Sequence, residues 1–512
     1  MKRLLSSVVL CLLTGNALLA EDKIFTVNTV EGVPMSFRVT SEEMNTCEVY
    51  GSKQVEYNGT TYDEITTAIH QNTAGTITIP EWANDYSVDA IGRGAFKDCK
   101  NLTNVVIPEG ITTIDDEAFN GCKGLISVNL PQSLYNIRNG AFENCYSLTS
   151  LTIPRNISTI EENAFEGCIG LTSLVIPSTV SSIERDAFKD CTKIATITIE
   201  EGLRSIGKSA FENCSSLTSI NIPASVTSIN GNPFFACTML TTISVAAGNK
   251  TYDSRDNCNA IIETAQNRLI AACKNTVIPE GITSLGSDAF GGCGGMSTLY
   301  IPASLTQGLG TGSGNGLHNI LKDMTSIIVA SDNPVYDSRN NCNAIIETAT
   351  NKLLMGCPKT VIPNGVTTIG EEAFYRCTGL TSIDIPNSVK SIEKYAFRCS
   401  GLTSVSIPSN VKNIDKSVFE ECLNLSSVTL SEGIETLGYG LFSATAITSL
   451  TIPSSVRQIG DSNGSSRYLC ETCPKLSSIV VASGNSVYDS RNNCNAIIAE
   501  RTWRGRVRLF LC

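Results

Sequence analysis

The sequence predicts a β-rich solenoid of stacked repeats, and three observations carry that expectation. Phenylalanine recurs at Phe96, Phe119, Phe142, Phe165, Phe188, Phe211 and Phe234, each step being 23 residues. A cysteine stands three residues after each, at Cys99, Cys122, Cys145, Cys168, Cys191, Cys214 and Cys237. Between one pair and the next runs a fixed apolar pattern of Leu, Leu-x-Ile-Pro and Val-x-x-Ile, as in "GCIGLTSLVIPSTVSSI" from Gly167. A fixed period of this length marks an array whose units are too small to enclose a core alone, so that stacking completes it.

Each part of the unit has its own reason. In "LTSLTIP", Leu148, Leu151 and Ile153 share one side while Ser150 and Thr152 alternate outward, as in a short strand. Pro154 has no N–H to give a ladder and ends it. The Ala-Phe segment, as in "EENAFEGC", has the composition of a single helical turn, too short to stand alone. Its ring must be covered by neighbouring units, each burial contributing roughly 2–3 kcal/mol. The register resumes at Phe290, Phe374, Phe397, Phe419 and Phe442, with one unit a residue short around Cys399.

The 21 cysteines do not read as a disulfide framework. Parallel units stack at about 4.8 Å with side chains pointing the same way, whereas a disulfide needs converging Cβ atoms about 3.5–4.5 Å apart. The column is therefore expected to be reduced, buried thiols acting as small hydrophobes. Metal binding has little support, because His70 and His318 are the only histidines and no Cys-x-x-Cys pair recurs. Cys470 and Cys473 form one isolated pair in "YLCETCPKL", with Cys473 on the column and Cys470 where phenylalanine normally stands. His318 also occupies a phenylalanine position, in "NGLHNIL", and is expected to serve the core or its edge.

The opening "MKRLLSSVVLCLLTGNALLAED" has a basic start, a short apolar run and small residues, the pattern of an export signal over residues 1–20. Cys11 lies inside that run and not behind a small residue, which argues against a lipid acceptor. No later stretch approaches the roughly 20 apolar residues of a membrane span. Losing Lys2 and Arg3 takes the net charge from −11 to −13, which disfavours nucleic acid. Residues 21–90 read as an N-terminal region and cap with an incomplete first repeat, followed by regular repeats over 91–247.

Three near-copies interrupt the array: "YDSRDNCNAIIETAQNRLIAAC" from Tyr252, "YDSRNNCNAIIETATNKLLMGC" from Tyr336 and "YDSRNNCNAII" from Tyr488. They place hairpin inserts at 248–275 and 332–359, with repeats over 276–331 and 360–483, and an incomplete third insert with an atypical tail over 484–512. "AIIET", "ATNK" and "LLMG" read as strand, turn and strand, a small hairpin packed on one edge of the solenoid. The Asp-Ser-Arg-Asn-Asn-Cys-Asn run fails as a calcium loop: Arg339 takes the third position, Cys342 stands where glycine is needed, and Glu347 comes one residue early. An Asx-type turn is expected instead. Cys258 with Cys273, and Cys342 with Cys357, are the best candidates for disulfides. After Ile498 the tail "AERTWRGRVRLFLC" reads either as a genuine basic end or as the product of a shifted or truncated frame.

With "IG..AF..C..LTSL.IP..V" in hand, the chain resembles the BspA-like family of bacterial surface proteins, whose repeats are the Treponema-type class of leucine-rich repeat; the inserts are similar to those of Bacteroidetes-like members. The resemblance covers about residues 76–482. It implies a leucine-rich repeat solenoid with parallel strands on its concave face and short helical turns or irregular segments on the convex face. It also implies exposure at the cell surface and adherence to extracellular host or bacterial proteins, matrix or plasma proteins, or glycans. No binding residue transfers, because the shared motif is the core.

The chain carries no Gly-x-Ser-x-Gly and no His-Glu-x-x-His, so no enzyme, metal or cofactor is expected. A binding or adhesion surface is expected, with a spacer role as the alternative. The candidate ligand-facing positions are the outward strand residues Ser127, Asn129, Ser150, Thr152, Ser173, Val175, Thr196, Thr198, Ser219, Asn221, Tyr300 and Asp384. Small hydroxyls dominate them, and aromatic anchors are sparse.

Overall fold

The computed structural model describes residues 23–57, 60–309, 314, 316–460, 468–490, 496–499 and 509–510; the segment expected to be an export signal and most of the tail after Ile498 lie outside them. Most regular repeats contribute two short parallel strands and one tight turn. The Leu-x-Ile-Pro segments form a first ladder, for example Ser173–Ile176 against Thr196–Ile199, paired residue for residue one period apart. The Val-x-x-Ile segments form a second, in which Thr159–Ile160, Ser182–Ile183, Ser205–Ile206 and Ser228–Ile229 make four consecutive rungs.

Between the ladders the phenylalanines form a continuous stack. Phe96 to Phe234 are fully buried, with successive ring centroids 4.9–5.7 Å apart and planes within 9°. Phe374, Phe397, Phe419 and Phe442 repeat the arrangement at 5.0–5.7 Å. Ala141, Leu148, Ile153, Ile157 and Ile160 fill the space around one ring, so every apolar column of the repeat is a wall of the same core.

The Ala-Phe segments are turns and not helical. Phe142 N–H goes to Ala164 O of the next repeat at 2.8 Å, while Cys145 N–H returns to Phe142 O at 3.2 Å. Donors that alternate between their own turn and the neighbouring repeat cannot follow the i→i−4 path of an α-helix. Two left-handed residues bracket most rings, for example Gly140 (φ 60°) and Asn144 (φ 60°) around Phe142, and Asn163 (φ 56°) and Gly167 (φ 72°) around Phe165. This explains the Gly, Asn and Asp at those columns, the residues that adopt positive φ most readily.

Glutamates preceding glycine add a third lateral tie. The Glu201 carboxylate accepts the N–H groups of Ala224 and Ser225 at 2.9 and 3.0 Å, and Glu432 those of Ser454 and Ser455 at 3.0 and 3.1 Å. These backbone hydrogen bonds hold both carboxyls below the usual range. A depressed folded value means the contribution is present above about pH 4.3 and is lost as pH falls through the folded value. The Glu201→Gln, Glu432→Gln double variant is therefore expected to show a thermal midpoint less sensitive to acid below about pH 4.3 than the parent chain.

The inserts are part of the second ladder rather than attachments to an edge. Ala260–Glu263 pairs antiparallel with Arg268–Ala272, and the latter strand then pairs in parallel with Ser284–Leu285 of the following repeat. Ala344–Glu347, Lys352–Gly356 and Thr368–Ile369 do the same, opening an eight-stranded sheet that runs to Gln458–Ile459. The hairpin's second strand stands in for the missing rung. In the third copy Tyr488–Asp489 pairs with Ile497–Ala499, and that strand with Leu509–Phe510, so part of the unusual tail takes the place of the second hairpin strand.

One side chain anchors each insert. Asn333, buried, donates to Pro302 O and Leu305 O at 2.8 and 3.0 Å and accepts from Val335 N and Tyr336 N at 3.0 and 2.9 Å. Asn249 and Asn485 repeat all four bonds in their copies. At the N-terminal end, Ile24–Asn28, Pro34–Ser41 and Thr46–Val49 form an antiparallel meander whose last strand pairs in parallel with Tyr86–Ile91, covering the open edge of the second ladder. Met35, Phe37, Cys47 and Val49 from this meander join the core.

Candidate functional site

All twelve outward positions are exposed. The ladder that carries them is discontinuous: it pairs three strands at its start and then two at a time. Ser127 and Asn129 sit on the three-stranded piece, Ser173 and Val175 face Thr196 and Thr198 on the next, Ser219 and Asn221 lie on a third, and Tyr300 on a fourth. Ser150, Thr152 and Asp384 lie on segments that form no strand pairs.

Several of these side chains have structural partners. Asn129 accepts from Ile107 N at 3.1 Å and donates to Ile107 O at 3.0 Å, closing the end of the neighbouring strand. Ser127 donates to Asn104 at 2.9 Å, and Asn221 accepts from Ser244 at 2.9 Å. Val175, at 51 % exposure, and Tyr300, at 39 %, are the apolar contributions to the surface.

The cysteine column does more than fill space. Cys122, Cys145, Cys168, Cys191, Cys214 and Cys237 each donate Sγ–H to the carbonyl of the phenylalanine one repeat earlier, at 2.9–3.4 Å. Burial pushes the Cys168 thiol up to about 12 and Cys145 well above the ordinary value, so these groups stay protonated and can donate. Cys258, Cys273, Cys342 and Cys357, the expected disulfide partners, are free thiols. Cys258 turns toward Ala260 O and Cys273 toward Asn259 O, which directs the two sulfurs to separate backbone groups.

Cys473 departs from its column. It keeps the carbonyl contact, 3.0 Å from Phe442 O, but is only partly buried, and a hydrogen bond from Cys470 draws its thiol below the usual range. Iodoacetamide at about pH 7 is expected to modify Cys473 first in the native protein, leaving the column untouched until denaturant is added. Thiol counting on the denatured, unreduced chain is expected to find most cysteines free, and nearly all of them blocked would contradict the ladder.

In the inserts, Asp337 accepts from Arg339 N at 3.0 Å, the expected Asx turn, and from Arg339 Nε at 2.8 Å, while Arg339 Nη1 reaches Asn351 at 2.9 Å. The carboxylate that a cation would need is thus held by the chain's own guanidinium. His318 starts no ring stack; it lies on a 3-10 segment, Leu317–Asp323, edge-on to Tyr375 at 6.4 Å.

The repeat geometry meets its decisive comparison in a family model, that of the BspA type leucine-rich repeat region, which matches in six copies over residues 70–191, 158–266, 268–308 and 352–471. The chain belongs to the BspA-type leucine-rich repeat family. Among solved structures, this BspA-type chain is similar to a leucine-rich cell surface protein from Faecalibacterium prausnitzii, at 25 % identity and a TM-score of 0.50, covering 80 % of this chain and 96 % of that one. A leucine-rich repeat protein from Bacteroides ovatus matches at 22 % identity and a TM-score of 0.45, over 90 % and 95 %. The pneumococcal vaccine antigen PcpA matches at 17 % and 0.40, over 90 % and 94 %. No curated protein matches the sequence. Among the described residues no helix is long and apolar enough to cross a membrane.

Proposed function

We propose that this BspA-type protein is an exported, cell-surface or secreted binding protein that adheres to extracellular host or bacterial proteins, matrix or plasma proteins, or glycans, without catalysis. The observation that carries the reading is the row of exposed Ser, Thr and Asn positions presented at repeat spacing on the first ladder, from Ser127 to Asn221. The similarity to a protein described as a leucine-rich cell surface protein supports the location. Such a face offers many small contacts and few anchors, so affinity per site is low and multiple copies raise it.

The test is capture of immobilised matrix proteins, plasma proteins and glycans by the full chain, as monomer and as a multimer. Binding that strengthens steeply on multimerisation supports adhesion. No binding by any form to any target would leave the spacer role as the better description.

A further inference from the structure

Near the C-terminal end of the second ladder a groove of about 590 Å³ opens on its outer face. Ser391, Asn413, Thr436 and Gln458, the outward residues of four consecutive strands, line it. Glu393, Asp415, Lys416 and Tyr439 complete its walls. The groove follows from the residue that comes after each ladder's apolar position. That residue is charged in most early repeats, as Asp115, Arg138, Glu161 and Glu184, but is glycine in two successive ones here, Gly438 and Gly460. A Cβ at Gly438 would stand 2.4 Å from the Asp415 carbonyl carbon and the Lys416 nitrogen, so the backbones of the two rungs meet there and Gly438 adds no side chain to the groove.

The lining defines the ligand. Glu393 is paired with Lys352 at 2.7 Å, and Lys416 stands beside Asp415 with its ammonium 5.6 Å from the Tyr439 ring centre and 5.8 Å from that of Tyr395. Lys352, from outside the lining, neutralises Glu393, and Lys416 on the wall offsets Asp415, so neither an anion nor a cation is favoured. An apolar ligand would strip water from the Asn413 and Gln458 amides without replacing their hydrogen bonds. A neutral polyol satisfies them: each amide offers donors and an acceptor, Ser391 and Thr436 offer both, and the carboxylates accept. The part of the Tyr439 ring that the Lys416 ammonium leaves uncovered adds a surface for the C–H face of a sugar. The volume falls in the range of small-ligand sites, and the residues rise from paired strands, which hold them in place.

We infer that this groove binds a neutral oligosaccharide. The inference rests on reading the chain as a binding protein, and it assigns a saccharide contact to the second ladder, away from the hydroxyl row of the first. The test is calorimetric titration of the full-length protein with neutral tetrasaccharides of glucose, mannose and galactose, and with a sulfated tetrasaccharide as the anionic comparison. At least one neutral sugar is expected to bind, with affinity falling about tenfold in Tyr439→Ala and in Asn413→Ala. Thr436→Trp, which fills the groove, is expected to abolish binding, and Asp332→Ala, at an exposed residue outside both surfaces, to leave it unchanged. Asn413, an exposed residue, decides the matter should Tyr439→Ala lower the thermal midpoint. The inference is overturned if no neutral sugar binds at about 10 mM, if the sulfated sugar is preferred, or if Thr436→Trp binds as the parent does. Partner capture without any sugar binding sinks this inference alone; failure of both removes the function proposed above as well.

Discussion

Phe165→Ala is expected to cost about 3–5 kcal/mol of stability, while Thr152→Ala costs less than about 0.5 kcal/mol. The Phe165 ring is wholly buried and lies 5.4 Å from each of its neighbours, Phe142 and Phe188. Both neighbours are held by their own turns, so the site has little freedom to collapse and a cavity remains. The loss falls between repeats, where the stability of a solenoid resides, and so weakens the coupling of the units on either side as well as the unit itself. Thr152 is exposed on a segment without strand partners and loses only its own solvent contacts. Urea unfolding followed by circular dichroism compares the two; equal midpoint shifts would reverse the inward and outward assignment.

The second large effect is expected at Asn333. Asn333→Ala leaves two carbonyls and two N–H groups without the partners they have in the parent chain, in a buried setting. At about 1–3 kcal/mol for each group left unsatisfied, offset by any water that enters, the loss is expected to reach at least about 3 kcal/mol. Asn333→Asp keeps the acceptor and loses the donors, so it should be intermediate or worse, since a buried carboxylate would face Pro302 O and Leu305 O. Asp332→Ala, one residue away and exposed, is the control and should change little. Thermal melts of the three variants check this, and equal effects at positions 332 and 333 would show that the asparagine does not anchor the insert.

What was legible in the sequence was whatever repeats exactly. The 23-residue step of Phe and Cys, and the alternation around Leu151 and Ile153, specify the core because burial is selected at every turn of the array. The second ladder was hidden, since a strand of two residues such as Ser182–Ile183 is too short to show alternation. The Cys168 bond to Phe142 O was missed because a thiol column reads as apolar filler; its constancy, where Ala or Val would also fit, was the available signal. The inserts were readable as hairpins from "AIIET", but their place in the sheet depends on pairing with Ser284–Leu285 and Thr368–Ile369, which local pattern does not encode. The helical composition of "EENAFEGC" misled for a similar reason: lateral bonds between repeats override the local preference. Of the surface, exposure was predictable and role was not, as Asn129 shows by closing the backbone at Ile107. The groove over Gly438 and Gly460 had a sequence signal, two glycines one repeat apart, that carries meaning only once the ladder is known.

The adhesive surface proposed above is the outer face of the first ladder. Surface plasmon resonance of the full chain on a captured partner tests it most directly, using a variant that carries Ser173→Glu, Thr196→Glu and Ser219→Glu together. These three exposed residues lie in one column, so the change adds like charge to the face without touching the core. The account predicts at least about tenfold weaker binding with an unchanged thermal midpoint. Binding equal to that of the parent chain, at the same midpoint, would contradict it.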